Sequence, residues 1–440
     1  MGVSPSLLAT VERTYASYEA DLSVPEIVYA EEVALALAIC NFNTMDGGLH
    51  GGQIERIRYQ YEAQDEVRRI ARSYASLSEY DTKEICRVAD FSSSTGEFAI
   101  RIAKGIHQNM EFLKQVLPVQ HEVAQKINTP LHYRVRLLLS ELARDWSVEG
   151  EVERKQSYEP LLKELPSERC RVLVPGCGTG RLAYDVAVLG HDVEANDFDI
   201  MKLAAANAVV SRSTDDPFVI EPYCLDTCNR MKRDDHIRKP GGKLAYVKGG
   251  GKHAFKSNDA IDYVMAHPSM REMAGVWWAA FPYPRFELVS VPDCDVDREA
   301  LGRISVNGFE FTEAYGVPAK HESFDIVLTA AFIDTAPNVF VYIKTIANVL
   351  KPGAKWANTG PLGWLYDGDR FNSGRDGKFL RRLELSHEEL MEAISAKWFD
   401  IERSELVPGC RYCGDRRTML ETDLTFVNFV AIRNNTPVEY

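Results

Sequence analysis

Val172-Leu173-Val174-Pro175-Gly176-Cys177-Gly178-Thr179-Gly180-Arg181 is the stretch that decides the fold. A short apolar run passes into three alternate glycines, and LAYDVAVLG, which follows from Leu182, has the apolar spacing of an amphipathic helix. Glycines here let a ligand approach the backbone, and the helix N-terminus behind them offers N–H groups to an anion. A dinucleotide site wants G-x-G-x-x-G, with its third glycine for close helix packing. Here the spacing is G-x-G-x-G and Arg181 stands where that third glycine would be, which disfavours a nicotinamide cofactor.

Working outward, HDVEANDF (191–198) reads as the next strand and ends in Asp197, 17 residues after Gly180. A strand would deliver this acid to the carboxyl edge of a parallel sheet, the ligand side. There it can take both hydroxyls of a ribose while the glycine turn holds an amino-acid end, the pairing that S-adenosylmethionine requires. Glu194 is the rival for the ribose acid. Further strands are expected at CRVLVPG (170–176), FDIVLTAAF (324–332) and AKWANTG (354–360), separated by helical stretches as in βα units. FDIERSELV (399–407) and LTFVNFVAIRN (424–434) follow without a helix between them and predict an antiparallel hairpin closing one edge.

Up to about residue 150 strand signals are nearly absent, and segments such as EEVALALAICNF (31–42) and YRVRLLLSELARDW (133–146) have helical periodicity. A helical N-terminal region followed by an α/β domain is expected, and the family resemblance given below sets their bounds at 1–132 and 133–440. A basic, glycine-rich stretch with an aromatic cluster breaks the rhythm from residue 229 to about 290 and reads as an insertion. Its glycine-lysine run lacks the GxxxxGK[ST] spacing and is expected to be a surface loop. The aromatics Trp277, Trp278, Phe281 and Tyr283 suit either a lid or an internal contact.

Several stretches resemble the N2227-like family, the family of the carnosine N-methyltransferases. They are ARDWSVEGEVERKQSYEPLLKEL (143–165), VLVPGCGTGRLAYDVAVLGHDVEANDF (172–198) and FDIVLTAAFIDTAPNVFVYIKTIANVLKPGAKWANTGPL (324–362), with a looser match to Arg433. The resemblance implies a class I methyltransferase fold, a Rossmann-like seven-stranded sheet, and an S-adenosylmethionine-dependent N-methyltransferase acting on an imidazole or amine nitrogen of a small histidine-containing metabolite. It implies cofactor contacts at Arg144, at Gly176, Gly178, Gly180 and Arg181 of the turn, at Asp197, at Glu310 and Phe311 beside the adenine, and at Ala330. A family glutamine three residues before Arg144 is here Glu141.

For the substrate, the resemblance assigns Asp334 of FIDTA to the imidazole. A carboxylate bonded to one ring N–H fixes the tautomer and leaves the lone pair on the other nitrogen facing the methyl group. Asp334 also reads as an N-cap for the helix that follows. Where the family has a histidine after GPL this chain has Leu365, with Trp364 and Tyr366 as neighbouring substrate candidates. Where it has tyrosines before the last strand, this chain has Thr422 and Leu424. A peptide or protein histidine as acceptor, or a non-catalytic cofactor-binding scaffold, are the alternatives.

Composition bounds the rest. Hydrophobic residues make up 45% and charged residues 26%, which describes a folded globular chain, and 64 acidic against 51 basic residues give a net charge of -13. That sign argues against a dedicated nucleic-acid or membrane-surface binder and for a small-molecule partner, with a homodimer left open. No apolar run is long enough to span a bilayer and no secretory leader is read, so the cytoplasm is expected, with the nucleus as an alternative. The Gly2 acylation pattern with Ser6 is matched, though one acyl chain anchors weakly. Nine scattered cysteines suggest reduced thiols. Cys410 with Cys413 and Cys224 with Cys228 invite a zinc reading, but these unlike, distant pairs do not make a four-ligand pattern, so no metal is expected. The aspartates in PDCDVD (292–297) suit a solvated turn or a substrate amine.

Overall fold

The apolar run before the glycines becomes an inner strand of a seven-stranded sheet. A computed structural model of the chain describes residues 77–89, 96–116, 134–226, 228–230, 289–365 and 383–438, with Tyr59, Ala63, Glu66, Arg69 and Ser73. In chain order its elements are α1 (Glu79–Ala89), α2 (Gly96–Val116), α3 (Arg134–Trp146), α4 (Glu151–Leu162), β1 (Arg171–Pro175), α5 (Arg181–Val188), β2 (Asp192–Asn196), α6 (Ile200–Val209) and β3 (Phe218–Ile220). There follow β4 (Val289–Val291), α7 (Arg298–Leu301), β5 (Ile304–Asn307), α8 (Phe311–Tyr315), β6 (Phe324–Ala330), α9 (Val339–Val349), β7 (Leu350–Thr359), α10 (His387–Ser395), β8 (Phe399–Cys410) and β9 (Leu424–Arg433).

The strand order is β5-β2-β1-β6-β7-β9-β8. The first five are parallel, and β9 runs antiparallel to both β7 and β8. All the strands expected from sequence are present, and the terminal hairpin closes one edge. Two features were not legible: β5, whose ISVN is too short and too exposed to carry a strand pattern, and a ribbon of β3 with β4. Phe218 faces Val291 and Ile220 faces Val289 in that ribbon, so residues far apart in sequence pair as neighbours. The glycine-lysine run, the aromatics from Trp277 to Tyr283, Tyr366, and Gly2 with Ser6 lie outside the described residues.

Alternation along the strands divides the core in two. Val172, Val174, Val193, Ala195, Ile326 and Leu328 pack on one face, and Leu173, Val327, Trp356 and Phe429 on the other. Both faces are therefore covered, as the apolar runs of parallel strands require. On the first face α3 buries Val135, Leu138, Leu139, Leu142 and Trp146, one helical stripe. Each such side chain contributes about 1.5–3 kcal/mol of burial, enough to seat α3 so that its last residues reach the glycine turn. Ile102, Ile106 and Leu113 of α2 join the same cluster, so this N-terminal helix shares the core of the α/β domain.

The chain fills strands on one side of β1 before crossing to β6 on the other, so the order reverses between β1 and β6. Their carboxyl ends, Pro175 and Ala330, flank the crevice where ligands bind in sheets of this kind.

Candidate functional site

At the end of β1 the backbone enters left-handed conformations at Gly176 and Gly178 (φ 65° and 55°). A Cβ at Gly176 would lie 2.3 Å from the Phe332 ring, so the β6 loop closes against this glycine. At Gly178 a Cβ would meet nothing within 4 Å, leaving that side of the turn open. Gly180 caps α5 in the same left-handed region. Asp197 follows β2 directly, as the sequence predicts. Its Oδ2 accepts from the Gly178 N–H at 2.9 Å and its Oδ1 from the Asp199 N–H at 2.8 Å, tying the acid to the turn. Burial raises its pKa to about 6, against the pull of Lys202. The rival Glu194 is engaged elsewhere, accepting from Lys320 Nζ at 2.6 Å and Tyr315 Oη at 2.8 Å.

The last two turns of α3 bring a second set of groups. Arg144 donates through Nε and Nη2 to Asp145 at 2.7 and 3.0 Å, and its guanidinium lies 4.5 Å over the Tyr412 ring. Glu141, one turn back, accepts from Lys202 Nζ at 2.8 Å and Tyr412 Oη at 3.2 Å, while its Oε2 is buried without a partner. Burial opposes the charge on Lys202, but Glu141, Tyr412, Asp197 and Asp199 together outweigh it and push its pKa upward. Asp145, Lys202 and Tyr412 were missed by sequence reasoning. Asp145 had a signal in standing between Arg144 and Trp146, whereas Lys202 and Tyr412 reach Glu141 only through the tertiary fold. Arg181 is also occupied by protein: Nη1 donates to the Asp145 carbonyl and to Asp293, and Nε to Asp185, each at 2.8 Å.

Asp334 lies just past β6, in a single 3-10 turn, Ile333–Thr335. It does not cap the following helix, because Asn338 does so, accepting from the Phe340 N–H at 3.0 Å. That frees the Asp334 carboxyl. Oδ2 accepts from the Gly363 N–H at 2.8 Å, and Oδ1 is buried with no partner. Burial raises its pKa, opposed by the Gly363 N–H. The segment after β7 wraps this corner: Gly360 approaches Ala331, and the Leu365 N–H bonds the Asp334 carbonyl at 2.9 Å. Trp364 is buried and donates to the Leu385 carbonyl at 3.0 Å, while Leu365 is 70% exposed.

Phe311 is buried edge-on against Phe332, at 5.2 Å. Glu310 caps α8 through its side chain, accepting from the Glu313 N–H at 2.9 Å. Ala330, half-buried, ends β6 beside the crevice. The PDCDVD aspartates have other work. Asp293 bridges Arg154 and Arg181, Asp295 accepts from Thr214, and Asp297 caps α7. Asp295 and Asp297 are exposed, as in a solvated turn, whereas Asp293 is committed to the two arginines rather than left for a substrate amine. Among the described residues no three candidate ligands lie together around a metal position, and no helix is long and apolar enough to cross a membrane.

The open side at Gly178 and the unpaired Glu141 oxygen fit S-adenosylmethionine, whose amino-acid end needs both backbone room and an acceptor for its ammonium. With that crevice at the reversal of this strand order, the fold is that of the class I S-adenosylmethionine-dependent methyltransferases, and the chain is an enzyme of that class. A sequence profile described as carnosine N-methyltransferase matches residues 121–246 and 285–435, and the chain belongs to this family. The carnosine N-methyltransferase of Schizosaccharomyces pombe is 29% identical over 308 residues, covering 67% of this chain and 69% of that protein. The Dictyostelium discoideum enzyme is 24% identical over 390 residues, 86% of this chain and 71% of its own length. The rat enzyme is 28% identical, and the match spans 61% of this chain and only 55% of that protein. A solved S-adenosylmethionine-dependent methyltransferase from Methanosarcina mazei is similar at 13% identity and a TM-score of 0.31, over 63% of this chain and 98% of that one. The strand order, rather than this likeness, establishes the fold.

Proposed function

We propose that this enzyme methylates an imidazole nitrogen of a small histidine-containing dipeptide of the carnosine type, with Asp334 as the residue that orients the ring. The observation that carries this reading is the buried, unpartnered Asp334 Oδ1 at the β1–β6 crevice. Asp197 would take the ribose hydroxyls, the turn from Gly176 to Gly180 and Arg144 the amino-acid end, and Phe311 with Glu310 the adenine side. When bound, the sulfonium supplies an electrophilic methyl group. Imidazole, with a reference pKa of about 6.5, is largely neutral at pH 7 and needs alignment more than a strong base. Asp334 Oδ1 accepts the ring N–H, so the opposite nitrogen presents its lone pair. The methylated ring would carry a positive charge, and Asp334 would hold its N–H through Oδ1 until that proton passes to solvent and neutrality is restored. The Gly363 N–H on Oδ2 keeps the carboxyl in place.

The family match favours this reading over a protein histidine acceptor or a scaffold. We place the enzyme in the cytoplasm, a reading supported by the eight described cysteines, all free. Trp364 and Tyr366 remain the candidates for the substrate wall where Leu365 replaces the family histidine. Incubation of the purified chain with methyl-labelled S-adenosylmethionine and carnosine, free histidine or a histidine-bearing peptide tests the assignment. Label on the carnosine ring is expected; label on the peptide alone would overturn it.

A further inference from the structure

We infer that Asp145 is the positioning residue of the cofactor turn, setting both the turn and the arginine beside it through one buried carboxylate. This rests on the methyltransferase reading above. The side chain of Asp145 is fully buried and accepts four hydrogen bonds. Two come from Arg144, one from Tyr158 Oη at 2.7 Å, and one from Thr179 Oγ1 at 2.5 Å. Thr179 is the residue between Gly178 and Gly180, so this last bond grips the turn at its middle. The next residue of α3 grips it again, with Trp146 Nε1 donating to the Thr179 carbonyl at 2.9 Å.

The arrangement has a physical logic. A turn of three glycines has little of its own to select one conformation, since glycine populates both signs of φ readily. Side-chain ties to its only hydroxyl and to the adjoining carbonyl select that conformation from outside. The Asp197 carboxylate holds the Gly178 N–H from the opposite side, so the turn is pinned between two acids. The same carboxylate fixes Arg144. With Nε and Nη2 committed to Asp145, and Nη2 also within 3.3 Å of Tyr158 Oη, Nη1 has, among the described residues, only the Cys413 thiol at 4.0 Å. Nη1 is thus the nitrogen presented to a ligand carboxylate. Burial acts to raise the Asp145 pKa, but Arg144 and the hydroxyls of Thr179 and Tyr158 outweigh it and hold the group below the usual carboxylate range. A charged acceptor makes the stronger bond to each of these donors.

Asp145 touches neither methyl donor nor acceptor on this account, so its loss should appear in cofactor binding rather than in the chemical step. The test compares wild type, Asp145→Asn, Thr179→Val and the double variant, using calorimetric binding of S-adenosylmethionine and steady-state transfer to carnosine. Displaced orienting groups typically cost one to two orders of magnitude. Asp145→Asn should therefore raise the dissociation constant and KM for S-adenosylmethionine about 10–100-fold, with kcat at saturating cofactor changed less than about threefold. Thr179→Val, which removes only the hydroxyl, should reproduce part of that loss, and the double variant should lose less than the product of the two. Should Asp145→Asn fail to fold, a Thr179→Val protein with wild-type affinity would overturn the inference. So would a folded Asp145→Asn protein that binds the cofactor like wild type, or independent losses in the double variant. If wild type bound no S-adenosylmethionine, the methyltransferase reading itself would fail, and this inference with it.

Discussion

At the scale of single residues, two carboxylates at strand ends differ in what they bond. Asp197 ends β2 and bonds the glycine turn, while Asp334 follows β6 and leaves one oxygen unpaired. Asp197→Ala should raise the dissociation constant of S-adenosylmethionine by more than about a hundredfold, since it removes a charged acceptor from two bonds worth about 1.5–3 kcal/mol each. The pKa of about 6 at Asp197 adds a pH dependence. Folding raises this value above that of the unfolded chain, so the native state binds the proton more tightly. The associated stability is fully present below the unfolded pKa, near 4, and is lost as pH rises through 6. In the proposed ribose-binding role, cofactor binding has the opposite sign, because the hydroxyls would need the ionised form. Affinity measured calorimetrically should improve about tenfold between pH 5 and pH 7, and Asp197→Asn should flatten the curve. Both acids were legible because each ends an apolar run that reads as a strand. Lys202 and Tyr412 were not, since the partner of each, Glu141, lies far off in sequence and no local pattern encodes it.

At the scale of elements, the glycine turn separates stability from binding. Gly176→Ala would place a methyl group against the Phe332 ring at a positive φ and should cost about 3 kcal/mol or more, read in denaturant melts. Gly178→Ala has open space around it and should cost only about 1–2 kcal/mol in backbone strain, yet abolish cofactor binding because the methyl occupies the ligand's approach. Equal effects of the two on stability, or cofactor binding retained by Gly178→Ala, would contradict this division. The strand-turn-helix unit was readable because its signal is continuous over twenty residues or so. The β3–β4 ribbon was not, because its halves are three residues each and sit on either side of the inserted segment. The N-cap reading of Asp334 failed for a related reason: a helix start admits several capping residues within a few positions, and Asn338 took the role.

For the whole molecule, the N-terminal helices belong to the machine rather than standing beside it. α2 buries Leu113 in the same core cluster that holds Val172 and Val174. Leu113→Ala should destabilise the chain by about 2–5 kcal/mol and lower the melting temperature of the whole α/β domain in a single transition. An independent early transition would show that the two regions fold apart. The architecture then brings the glycine turn, Asp197 and Asp334 to one end of the sheet, each delivered by a different strand. The most direct test of the central claim is Asp334→Asn, measured for S-adenosylmethionine binding and for labelled methyl transfer to carnosine in the same sample. Binding within about threefold of wild type, with transfer reduced at least about a hundredfold, is the predicted result. Transfer at the wild-type rate, or cofactor binding lost together with it, would contradict the role assigned to this residue.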